Sequence, residues 1–149
     1  MAAQSFSGGA ALEAKLREIA EKAGKPGTLR VGFLEGSTYP DGTPVPLVAA
    51  LNNYGTENSP PRPFFTHMVE EKKHGWGSAL GKIAVETGYD MSQTLGQMGE
   101  GIKDQLQGAI RDFSSPGLAD STIARKGFNK PLIDTSVMLN SAAYEVKEE

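Results

Sequence analysis

The run DMSQTLGQMGEGIKDQLQGAIRDF, Asp90 to Phe113, carries the strongest periodic signal in the chain. Met91, Leu95, Met98, Ile102, Leu106, Ile110 and Phe113 follow one another at steps of three or four residues. That spacing places them on one face of an α-helix and predicts a helix over Asp90–Phe113. Gly96, Gly99, Gly101 and Gly108 lie inside it. Each costs a helix interior about 1 kcal/mol relative to Ala, so tertiary packing must hold the helix together. Small residues also permit close approach by a neighbouring element.

Upstream, Phe64 to about Gly88 predicts a second long helix, with Phe64, Met68, Trp76, Leu80, Ile83 and Val85 as its apolar surface. Gly75 and Gly77 predict a break or kink in its middle. Before it, Thr56 to Pro63 is a rigid loop that Pro60, Pro61 and Pro63 bias to an extended path. Val45–Tyr54 reads as a short helix stopped by Gly55. Glu35–Pro46 is a loop punctuated by Gly36, Pro40, Gly42 and Pro44.

Thr28–Leu34 reads as a strand, with Leu29, Val31 and Phe33 on one buried face and Gly32 marking a bulge or a close backbone approach. Ala10–Ala23 predicts an amphipathic helix with Leu12, Leu16, Ile19 and Ala23 as its stripe and Gly24 as its stop. Downstream, Ser114–Gly117 is a turn. Ala119–Lys126 reads as a short helix capped by Asp120 or Ser121. Thr135–Ser141 reads as another, capped by Asp134 or Thr135. Ala142–Lys147 closes the chain as a strand with Tyr144 and Val146 on one face. The elements add up to an α+β fold. A small antiparallel sheet of Thr28–Leu34 and Ala142–Lys147 lies against the helices of Phe64–Phe113, and two extended loops are free for subunit contacts.

With 149 residues the chain is one domain, comprising an N-terminal helical segment (1–27) and a core (28–149). Its 18 Gly, 9 Pro and 38% hydrophobic content give a loop-rich molecule with a thin core, which favours an oligomer. The net charge of −3 lacks the basic excess of a dedicated duplex-DNA binder. The absence of cysteine excludes disulfides, thiolate metal sites and thiol catalysis. No run of about 18 apolar residues predicts a membrane span. The N-terminus has no signal-peptide pattern.

Catalytic signals are few. His67 and His74 share a helix face with Glu70 and Glu71, a spacing that could touch one cation, though it is not the HExxH pattern. The plainer reading is a solvated face that also carries Lys72 and Lys73. No GxSxG elbow, Ser-x-x-Lys or phosphate loop occurs. Sequence therefore assigns no catalytic residue, metal or cofactor. The information-rich run is Pro60-Pro61-Arg62-Pro63-Phe64-Phe65. Rigid prolines lose little entropy on docking, and Arg and aromatics are enriched at interface hot spots. Arg62, Pro63, Phe64 and Phe65 are the candidate anchors, although the two rings also suit a role of fastening the next helix into the core. Arg125, Lys126 and Lys130 form a candidate polar contact, for which a protein neighbour suits the acidic chain better than nucleic acid.

Two stretches carry a resemblance. Val45-Pro46-Leu47-Val48-Ala49-Ala50-Leu51-Asn52-Asn53-Tyr54-Gly55-Thr56 followed by Pro60–Phe65 resembles a "VA..NE.G" helix end and "PPRPF" of tailed-phage virion proteins. The Tyr39–Pro44 loop is similar as well, which adds Tyr39 to the candidate contacts. Thr122–Gly127, then Lys130-Pro131-Leu132-Ile133-Asp134-Thr135, Leu139, Ser141 and Tyr144-Glu145-Val146, resembles their "PLIDTG.L..SI.Y.V" ending. The family is that of head–tail joining, tail-completion and neck proteins of long-tailed phages. Likeness runs from about Leu29 to Val146. Asn53 stands where Glu is common and Ser136 where Gly is common.

The resemblance implies a structural, non-enzymatic virion protein at the neck or tail, present in the host cytoplasm during assembly. It implies a ring, usually six-fold, between the portal or head-completion protein and the tail tube or its terminator. Genomic DNA would only pass through the lumen, and no membrane is involved. The nearest alternative is a tail-tube terminator ring. From another class comes a small metal-dependent hydrolase using His67 and His74.

Overall fold

The computed structural model describes residues 8–25, 27–113 and 136–148. Among these, five helices and a two-stranded antiparallel sheet form an α+β fold. In chain order they are α1 (Gly9–Ala23), β1 (Gly27–Phe33), α2 (Val45–Tyr54), α3 (Phe64–Glu86), α4 (Met91–Asp112), α5 (Val137–Ser141) and β2 (Ala142–Glu148). The short helix expected over Ala119–Lys126 lies outside the described residues.

The periodic run forms α4, and α4 is the centre of the molecule. Asp90 caps it, its carboxylate accepting from the Gln93 amide at 3.2 Å. One side of α4 lies on the sheet and another on α3. The sheet is thus covered mainly by α4; α3 reaches it through its first residues, where Phe64 meets Phe33 edge-on at 6.3 Å. That corrects the expectation that both long helices cross the sheet. The strand pairing follows the expected neighbours, running from Gly27 opposite Glu148 to Phe33 opposite Ala142.

Alternation sets the faces. Leu29, Val31 and Phe33 stand opposite Val146, Tyr144 and Ala142 on the side facing α4. The three β1 side chains are half-buried there. On the opposite side Gly32 is buried, with the Phe65 ring 3.7 Å from where a Cβ would stand. Gly99 is where α4 rides closest to the sheet. A Cβ there would come within 3 Å of the Tyr144 ring and 2.9 Å from Leu29 Cδ1.

The core gathers at one end of the sheet. Val45, Ala49, Phe64, Met68, Leu106, Ile110, Met138 and Ala142 bury there, drawn from α2, α3, α4, α5 and β2. Polar ties fix the layers: Trp76 Nε1 donates to Gln105 at 2.8 Å, and Gln107 donates to the Leu139 carbonyl at 3.2 Å. At the α3–α4 corner the fully buried Thr94 hydroxyl donates to the Asp90 carbonyl at 2.7 Å and shares a hydrogen bond with the Thr87 hydroxyl at 2.8 Å.

Two local expectations differ from what is observed. Helix α3 runs unbroken through Gly75 and Gly77. Its packing on α4, with the Trp76–Gln105 bond between the two glycines, outweighs their propensity cost. Helix α5 starts at Val137 rather than Thr135, after Ser136, whose side chain makes no capping bond; Asp134 and Thr135, the expected caps, lie outside the described residues. Ser136 itself is left-handed at φ 60°, a conformation in which Gly meets no steric cost.

Candidate interaction surface

The Val45–Phe65 stretch folds as one joint. Gly55 leaves α2 at φ 79°, and a Cβ there would lie 2.8 Å from the Pro61 nitrogen. Glycine is therefore required both by the turn and by the close approach of the proline loop. The loop returns along the end of α2, where the Arg62 amide donates to the Asn52 carbonyl at 2.6 Å. Asn53 then performs a task that sequence reading missed. Its side chain is buried, and its Oδ1 accepts from the Phe65 and Thr66 amides at 3.1 Å each, while its Nδ2 donates to Thr66 Oγ1 at 2.9 Å. These amides belong to the first turn of α3, whose own preceding residue, Pro63, offers no cap. Asn53 caps α3 from another helix, twelve residues upstream of Phe65.

The candidate anchors separate accordingly. Phe64 is 1% exposed and belongs to the core, so its ring is not a surface contact as expected. Phe65 is half-buried against Phe64 and Gly32. Pro63 is half-buried at the head of α3. Arg62 is half-buried as well, and its Nε has no hydrogen-bond partner among the described residues. Tyr39 opens a tight turn in which its carbonyl accepts from the Gly42 amide at 2.9 Å and its own amide donates to Thr43 at 2.8 Å. The Asp41 carboxylate accepts from the Thr43 amide at 2.9 Å, which holds its pKa below the ordinary value. Both loops are thus tied to the body. Arg125, Lys126 and Lys130 lie outside the described residues.

Exposed apolar side chains line up on two helices, α2 and α1, while Val85 stands exposed by itself on α3. On α2, Leu47, Leu51 and Tyr54 line the face opposite the core, and Tyr54 is 76% exposed. Helix α1 buries none of its residues; Leu12 and Leu16 stand open, flanked by the exposed ion pairs Glu13–Arg17 at 2.8 Å and Lys22–Glu18 at 3.0 Å. Between α2 and the β1–β2 ribbon runs a groove of about 650 Å³, which Glu145 and Lys147 of β2 also line. Its walls include Arg30, Gly32, Glu35, Ala50, Tyr54 and Phe65. On the far side of the sheet, Lys103 reaches Glu100 at 2.8 Å and stands 6.0 Å over the Tyr144 ring. The ammonium holds the Glu100 carboxyl below its usual range, and the carboxylate raises Lys103 in turn.

His67 and His74 are both exposed on α3. Among the described residues no group of three or more His, Asp or Glu side chains is placed to hold a metal ion. No helix among them is long and apolar enough to cross a membrane. No family model matches the chain, and neither a curated protein nor a solved structure matches it.

Proposed function

We propose that this chain is a structural protein of a long-tailed phage virion. It forms a ring, with six copies as the expected number, at the neck between the portal or head-completion protein and the tail. The ring joins head to tail and lets DNA pass, and it works by assembly rather than catalysis. The observation that carries the reading is the Val45–Phe65 joint. The motif whose letters resemble those of neck proteins is a structural unit of its own: Gly55, Pro61, Asn53 and the α3 amides depend on one another for their conformation. Exposed apolar stripes on α1 and α2 add support, because surfaces of that kind are covered in assemblies. Ring subunits use two different faces in a heterologous contact that closes on itself.

Imaging of particles made without this protein tests the reading. Filled heads beside separate, finished tails are the expected result. Overlong tail tubes would assign the chain to tube termination instead. Intact, joined particles would contradict both. Replacing His67 and His74 together with Ala is expected to leave joining and infectivity unchanged; joined particles without infectivity would point to the hydrolase class.

A further inference from the structure

We propose that helix α1 of one copy lies antiparallel on the exposed stripe of α2 of the next copy, with Leu12 over Tyr54, Leu16 over Leu51 and Ile19 over Leu47. This rests on the ring reading and names its subunit contact. Each helix lacks a cover for its apolar face. Helix α1 buries none of its residues, although Leu12, Leu16 and Ile19 form a stripe. A helix of 15 residues is marginal in water without packing. Helix α2 carries no charged residue, and Leu47, Leu51 and Tyr54 stand exposed on its outer face. The two rows match, because both step by four and then three residues and each spans about 10 Å of helix. An amphipathic helix laid on such a face is a common mode of recognition.

Charge sets the direction. On α1 the stripe has Lys15 and Lys22 along one flank and Glu13 along the other. The groove runs along one side of α2, and Glu35 stands in it close to Pro44 and Pro46, at the start of that helix. Among the described residues the Glu35 carboxylate has no ion-pair partner. In the antiparallel arrangement the right-handed turn of both helices brings the Lys15–Lys22 flank to the groove. Lys22, one turn beyond Ile19, then stands beside Glu35. It is paired with Glu18 of its own helix at 3.0 Å, and an ammonium has donors for a second carboxylate. The parallel arrangement would place Glu13 beside Glu35 instead, a like-charge contact. Antiparallel helix dipoles agree with the same choice.

Chain length places the contact between copies. Gly24, Lys25 and Pro26 join α1 to β1. Fully extended, the path from Ala23 to Gly27 reaches about 14 Å. Antiparallel docking puts Ala23 at the start of α2, at the Phe33–Glu35 end of the ribbon. Gly27 is at the other end, and β1 alone covers about 20 Å between Gly27 and Phe33. Gly27 also lies on the α4 face, with Leu95 Cδ1 3.0 Å from where a Cβ would stand, whereas the groove lies over the opposite face. A copy's own α1 therefore does not reach this position. Each copy gives one helix and receives one on a different face, a heterologous contact that can close into a ring.

Leu16 and Leu51 are both exposed, so changing them leaves the core intact. Leu16→Glu and Leu51→Glu are each expected to keep the circular dichroism of the unaltered chain and to lose assembly, read as mass in solution. Mixed together they are expected to form dimers that grow no further, because one chain still offers α2 and the other still offers α1. Variants that lose assembly singly but form no dimer when mixed overturn the docking. Assembly that survives both changes overturns it too and leaves the ring reading standing. The chain has no cysteine, which supplies an independent arm. With Leu16→Cys and Leu51→Cys in one chain, oxidation is expected to give a ladder of chains linked one to the next. A disulfide closed within a single chain, or like-to-like disulfides in either single cysteine variant, overturns the docking. An unaltered chain that stays single at high concentration, with no ladder from the double variant, overturns it as well; the ring reading is then decided by the imaging of particles.

Discussion

At the scale of the residue, Asn53 carries the most weight for its size. It saturates two amides that a proline-led helix start leaves without partners. Asn53→Ala should therefore destabilise the fold by about 1–2 kcal/mol. Asn53→Asp should lose less, because it keeps the acceptor oxygen and gives up only the donation to Thr66. Denaturant unfolding checks both, and equal losses for the two variants would contradict the capping role. Asp41 gives a prediction in pH. Its folded pKa is lowered by the Thr43 amide, so the bond adds stability above the ordinary value of 3.8 and loses it as pH falls through the lower folded value. The Thr43 amide resonance, followed by NMR, should titrate with a midpoint below 3.8. A midpoint at or above that value would show that the turn does not hold the carboxylate.

At the scale of the element, the helix glycines of α4 divide by position. Gly99 lies against Tyr144 and Leu29, whereas Gly101 has open space around it. Gly99→Ala should cost about 1–3 kcal/mol through overpacking. Gly101→Ala should stabilise by up to about 1 kcal/mol through helix propensity. Thermal unfolding of the two variants separates these effects, and equal shifts would mean that α4 does not ride on the sheet at Gly99. Periodicity made α4, α3 and α2 legible in the sequence, and alternation made both strands and their pairing legible. What sequence could not show was which helix covers the sheet, because an apolar face does not name its partner. Nor did it show that Asn53 reaches across a loop to the next helix, since cap signals are sought beside the helix they serve. The PPRPFF run announced itself as important. Only packing separated Phe64, which serves the core, from Arg62, whose Nε has no hydrogen-bond partner among the described residues.

At the scale of the whole molecule, the described residues leave a great deal of contact-ready surface for so short a chain. Helix α1 buries nothing, α2 shows an apolar stripe, and the sheet among the described residues has only two strands. A two-stranded ribbon is marginal by itself and gains from further strands or helices. Assembly into a ring would cover these features together, and it accounts for a core confined to one end of the sheet. The central claim is that this assembly is the neck of a phage particle. Cryo-electron microscopy of whole virions tests it most directly. The account predicts a ring between portal and tail tube into which the Val45–Phe65 joint and the β1–β2 ribbon can be built. Neck density that accommodates no copy of this chain, or the chain found elsewhere in the particle, would contradict it.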